Sequence, residues 1–375
     1  MRNYTLFHVW DIPIRINVSL VIFLPILAWL IGSGTQLAAY VELIEAVTPA
    51  AIDPTVLAEE DRWVVGILAA VGLFASVAVH ELGHAWAAMR YGIGTESITL
   101  WILGGLASLT EMPREWNREF WIAIAGPITS LLLGVAAYAL LFVVPESATL
   151  AVFVVGFVTV MNLVLAVFNL LPAFPMDGGR ILRALLARNR SYVSATRTAA
   201  SVGTVFALLF AVFGILVTFS PLLLLLALFI YAAATSESRS VVLGELLDGL
   251  SVGDLVADND PIEADATVAE ALDRLLRARR SDLAVVADGT VVGAITASEL
   301  RDVPHDERES TAVGDITTTD LPRLDSATTA FDALYELMTT RSDTAIVEHN
   351  GSPVGVVSRA DFTAVLDVRR DTVSF

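Results

Sequence analysis

Apolar residues run unbroken through the first two-thirds of the chain and alternate with charge through the last third. Runs at about 18–31, 62–89, 120–144, 150–170, 199–219 and 222–234 read as six helical spans, since roughly 20 apolar residues cross a bilayer as helix. Residues 1–17 read as a short amphipathic stretch, and the first run, which lacks a small-residue cleavage site, reads as a retained helix. Between the second and third spans, 97–103 (SITLWIL) reads as a strand, followed by Gly104-Gly105 and 106–109. A strand near membrane depth must have its backbone satisfied inside the protein or in a wet cavity. The sequence thus predicts a multi-span α-helical membrane protein of about six helices with a small re-entrant β element, and an α/β tail.

The segment 32–61 carries Glu42, Glu45, Asp53, Glu59, Glu60 and Asp61 but no Arg, so it is expected outside. Arg90, Arg114 and Arg118 mark one cytoplasmic side, and Arg180, Arg183, Arg188, Arg190 and Arg197 mark it again. Both termini are then cytoplasmic, in a multi-pass protein of the cell membrane. The division expected is 1–235 in the membrane, 236–248 as linker, and the tail beyond.

The tail repeats itself. Ser251-Val252-Gly253-Asp254-Leu255 returns as Ala312-Val313-Gly314-Asp315-Ile316, and Asp282-Leu283-Ala284-Val285-Val286 returns as Asp343-Thr344-Ala345-Ile346-Val347. Each unit, 249–303 and 310–368, reads helix, strand, turn, strand, helix. Two such units bury their apolar faces together.

Composition sharpens this division. The chain is 55% hydrophobic with mean hydropathy +0.68, above what a soluble globule of 375 residues carries. Of the net charge of −18, residues from Ser236 onward supply −15, and every basic residue is Arg. Nucleic-acid binding is disfavoured, since phosphate contact needs a basic surface. So acidic a tail is expected to suit a very salty cytosol, where the Debye length falls to roughly 3 Å. With no Cys, a metal site must use His and carboxylates.

One stretch in the second span resists explanation as packing: His80-Glu81-Leu82-Gly83-His84. Polar side chains at that depth are costly and mark sites. On a helix, His80 and His84 point the same way one turn apart, and Glu81 stands beside them. This is the H-E-x-x-H pattern, in which two imidazoles bind Zn²⁺ and the Glu is general base. A catalytic zinc takes three protein ligands and keeps one position open. Asp177, the only acidic residue between Glu146 and Glu237, is the best third candidate; the alternative is a helix cap. Asn169 is a candidate donor to the oxyanion, or else a helix-end Asn satisfying backbone. The 97–103 strand offers an edge to which an extended substrate could add; the bland reading is a plain hairpin. His8, His305 and His349 have no metal partners at useful spacing.

With the pentad, Gly126-Pro127 and the segment from Asn169 through Pro172 to Asp177-Gly178 in place, residues 1–235 resemble the site-2 protease family of intramembrane zinc metalloproteases. The resemblance implies His80, His84 and Asp177 as ligands of one zinc and Glu81 as the catalytic Glu, with Asn169 as polar partner. It also implies cleavage of single-span membrane substrates near the cytoplasmic face. Met176 and Ser130 depart from the commonest pattern, which has Leu and Asn there. The tail resembles a tandem pair of CBS domains, which implies regulation by ATP, ADP or AMP and a surface for homodimerisation. Ser358 and Asp361 match that family's nucleotide-binding pattern; Thr296 matches, but Glu299 replaces its Asp. The alternatives are a CBS-regulated transporter or channel without enzymatic activity, and an inactive protease-like scaffold.

Overall fold

The structure, a computed structural model, describes residues 2–53, 57, 62–256, 261–278, 282–340 and 342–372; Glu59, Glu60 and Asp61 of the expected acidic segment lie outside them. The chain divides into two units, Met1–Ser238 and Arg239–Phe375.

The first unit opens on a hairpin, not an amphipathic stretch: β1 (Asn3–Val9) pairs antiparallel with β2 (Ile12–Asn17). Trp10 and Asp11 at the turn both have positive φ, the backbone of a type I′ turn made without glycine. Ile12 and Ile14 go inward. Asn17 then starts α1 (Val18–Gly32), its Oδ1 accepting the Ser19 N–H at 2.9 Å.

The expected external loop contains a second helix, α2 (Gly34–Val47), bent by 72° from α1. Its Leu37, Val41 and Ile44 lie on one face at helical spacing and pack with Phe153 and Phe157. The long α3 (Arg62–Arg90) follows, then β3 (Thr95–Trp101) and β4 (Gly104–Leu109). After these come α4 (Trp116–Leu140), α5 (Thr149–Asn169), the short α6 (Asp177–Ala187), α7 (Tyr192–Leu216) and α8 (Pro221–Leu246). Among the described residues, five helices are long and apolar enough to cross a membrane, or six if α1 and α2 form one bent span.

The β element is a four-stranded sheet in the order β1-β2-β3-β4. β3 runs parallel to β2, with Ile14 opposite Ile98 and Ile16 opposite Leu100. It is therefore an interior strand, and the 97–103 stretch cannot itself accept another strand. The edge on that side is β4.

In the second unit the repeat is visible as two sheets of like topology. In one, β5 (Ile262–Glu263) runs parallel to β6 (Asp282–Ala287), which pairs antiparallel with β7 (Thr290–Thr296). In the other, β8 (Arg323–Asp325), β9 (Thr344–His349) and β10 (Ser352–Ser358) repeat that arrangement. The lead-in segments are exchanged. Val252 and Leu255 pack into the second half's core with Leu324, Leu337 and Phe362. Val313 and Ile316 pack into the first half's core with Leu275 and Ile295. Neither half has a complete core without the other's segment.

Candidate metal centre and its cleft

α3 delivers both histidines to one buried point, as the spacing of four dictates. α6 delivers Asp177 there from its first turn. That turn approaches closely because Gly178 has no side chain: a Cβ there would lie 2.2 Å from Leu171 O.

Asp177 Oδ2 lies 3.1 Å from His80 Nε2 and 3.1 Å from His84 Nε2, and the two Nε2 atoms are 3.2 Å apart. All three residues are buried. A tetrahedral zinc with bonds of roughly 2.0–2.1 Å spaces its ligand atoms about 3.3 Å apart, so the triangle of donors fits that ion closely. The outer ring nitrogens fit it too. His84 Nδ1–H donates to Ile122 O at 2.7 Å, and His80 Nδ1 meets Ser130 Oγ at 2.8 Å. With Nδ1 protonated on both rings, both Nε2 lone pairs are left for a metal.

Gly126 closes the floor. A Cβ there would fall 2.2 Å from His84 Nε2 and 2.7 Å from His80 Nε2, so the Gly-Pro pair of α4 lets the helix backbone lie directly against the donors. Glu81 sits on the cleft side, its Oε2 accepting the Ala107 N–H of β4 at 3.1 Å. Side chains alternate along a strand, and backbone groups alternate with them. Ala107 thus turns its amide away from β3, toward the cleft.

A cavity of about 350 Å³ joins these groups, lined by Glu81, Asn169 and Arg180 besides the three donors, and by Gly105, Leu106 and Ala107 of β4. Asn169 donates one amide hydrogen to Leu165 O at 3.0 Å, which is the backbone-satisfying role, while its residue also borders the cavity.

Behind Asp177 stands a buried ion cluster. Arg183, on the same helix, reaches Glu119 of α4 at 2.5 Å and pairs with Glu237 of α8. Its guanidinium also lies over the Phe174 and Tyr192 rings.

A model of peptidase family M50 matches residues 68–153 and 146–212, and the CBS domain model matches 252–306 and 313–367. A zinc metalloprotease of Methanocaldococcus jannaschii is 30% identical over 374 residues, covering 98% of this chain and 97% of its own. The chain belongs to peptidase family M50, the site-2 proteases. This site-2 protease is a zinc metalloprotease with a tandem CBS pair. Rip3 of Mycobacterium tuberculosis, which carries the provisional name of a zinc metalloprotease, is 34% identical over 327 residues, with 82% of each chain covered. The solved site-2 protease of M. jannaschii is 32% identical, spans 64% of this chain and 96% of its own, and superposes with a TM-score of 0.43.

In the protease's CBS pair, the three residues singled out from sequence sit at helix starts. Ser358 donates to Asp361 Oδ2 from its N–H at 2.8 Å and from Oγ–H at 2.9 Å. Thr296 does the same to Glu299 Oε2, at 2.6 and 2.8 Å. The longer Glu299 side chain also accepts from Thr318 Oγ1–H at 2.5 Å. Glutamate therefore keeps the capping role of the expected Asp.

Proposed function

We propose that this protease hydrolyses peptide bonds in membrane-spanning segments of single-span substrates, close to the cytoplasmic face. The reading is carried by one observation: two imidazole nitrogens of the apolar α3 and a carboxylate oxygen of α6 converge within 4.8 Å, next to Glu81 and an open cleft. His80, His84 and Asp177 hold one zinc ion. When bound, that ion supplies Lewis acidity, polarising a carbonyl and making water a better nucleophile near pH 7. Glu81 takes the proton from the attacking water and delivers it to the leaving amine, a contribution of roughly 10²–10⁴ in rate. Asn169, with one amide hydrogen engaged by Leu165 O, offers the other to the substrate.

A helical substrate shields its peptide bonds, so it must be held extended. The cleft side of β4 supplies backbone groups for this by strand addition, with Ala107 N–H adjacent to the base. The Arg-rich segments favour a cytoplasmic side for the chain termini and the CBS pair, where adenine nucleotide at Ser358 and Asp361, and at Thr296 in the other half, tunes the activity. Homodimerisation through the CBS pair is part of the same reading.

The test is Glu81→Gln, purified in detergent beside the wild type and incubated with a model transmembrane substrate. We expect one zinc per chain in both and cleavage by the wild type alone. A variant that still cleaves, or a wild type without zinc, would sink the mechanism.

A further inference from the structure

Arg180 follows Asp177 by three residues, which puts both side chains on one face of α6. It lines the same cavity as the metal donors and Glu81. Its Nε is buried and has no hydrogen-bond partner among the described residues. Its Nη2 meets Met112 Sδ at 3.9 Å, and a thioether is a weak acceptor. The contrast with Arg183, one turn further on and clamped between two carboxylates, is sharp. A guanidinium carries five donors in a rigid fork, and a buried donor left unmatched is costly. Such an arrangement is tolerated where the matching acceptor arrives with the substrate.

Asn169 is the weaker candidate donor to that acceptor. It is neutral and has committed one amide hydrogen to Leu165 O.

We propose that Arg180 is a catalytic residue that binds the scissile carbonyl oxygen as negative charge develops on it. This rests on the peptidase reading above. Water oxygen adds to the carbonyl carbon, the C=O electron pair moves onto oxygen, and Arg180 donates to that oxygen. When the C–N bond breaks, the pair returns to the carbon–oxygen bond and the amine leaves with the proton Glu81 had accepted. The remaining acid proton passes to Glu81, and the new carboxylate stays against the guanidinium, an acid–base match suited to two parallel N–H···O bonds. Arg180 then favours the transition state over the neutral ground-state carbonyl, so its removal shows in kcat more than in KM.

The experiment uses the full chain in detergent with a model transmembrane substrate, comparing wild type, Arg180→Met, Arg180→Lys and Glu81→Gln. Arg180→Met should keep one zinc per chain and lose about 10²–10³-fold in kcat, with KM shifted by only about threefold. Arg180→Lys should recover part of the loss, because a point charge returns without the fork. A peptide phosphinate, which is a tetrahedral anion, should bind Arg180→Met about 10²-fold more weakly. Acetohydroxamate, a small chelator of the metal, should inhibit both forms equally. The proposal is overturned if Arg180→Met keeps wild-type kcat, if it loses zinc, or if phosphinate and hydroxamate weaken together. Failure of the peptidase reading looks different: Glu81→Gln remains active or the wild type holds no zinc.

Discussion

Ser130 Oγ lies 2.8 Å from His80 Nδ1, across 50 residues of sequence. This serine lies one turn beyond Gly126-Pro127 on α4, and its hydroxyl meets the ring. Such partners fix tautomer and ring orientation, and their loss typically lowers metal affinity about 10–100-fold. Ser130→Ala should therefore fold normally and hold zinc more weakly by that factor. Competition with a chelator of known affinity measures it; unchanged affinity would remove Ser130 from the centre.

Gly126 and Gly105 flank the site from opposite sides and should fail in different ways. A Cβ at Gly126 falls 2.2 Å from His84 Nε2, whereas one at Gly105 falls 2.5 Å from Glu81 Cγ. Gly126→Ala should strip the metal. Gly105→Ala should keep zinc while displacing the base, cutting kcat by about 10²-fold or more. Metal analysis beside a cleavage assay separates the two; equal zinc loss in both would contradict the geometry.

Arg183 and Glu119 are both almost fully buried. Removing one partner of such a pair leaves an uncompensated charge at a cost of about 3–5 kcal/mol, whereas replacing both with neutral groups costs much less. Arg183→Met should lower the unfolding midpoint sharply, and Arg183→Met with Glu119→Gln should restore most of it. A double variant no better than the single would show that the aromatic stacking, not the ion pair, is what matters.

Adenine nucleotide should bind the full-length chain, and Asp361→Ala should weaken it about tenfold, the value of one or two lost hydrogen bonds. Isothermal titration with AMP and ATP reads this directly. Absence of binding at millimolar nucleotide would leave the CBS pair a purely structural element.

The convergence of His80, His84 and Asp177 could be read from sequence because the spacing is local for two of them, and because Asp177 is the lone acid in a long apolar region. The spans and the repeat were legible from periodicity for the same reason. The N-terminal hairpin was not, since Trp10-Asp11 takes positive φ without the Asn-Gly or Gly signature that announces a type I′ turn. Helix α2 was hidden by Glu42 and Glu45, although Leu37, Val41 and Ile44 kept helical spacing. Arg180 and Arg183 served in the sequence only as markers of sidedness. Their partners, or the want of them, depend on Met112, Glu119 and Glu237, more than fifty residues away, and no local pattern carries such pairings. The exchange of lead-in segments between CBS halves was likewise beyond a repeat alignment, which reports similarity and not contact.

His80 and Asp177 are 97 residues apart and come from separate helices. A chain emerging from the ribosome possesses the pentad long before it possesses the third donor, and a pair of imidazoles alone grips zinc poorly. A chain truncated before α6 therefore keeps the pentad but lacks the carboxylate that completes the three-residue cluster.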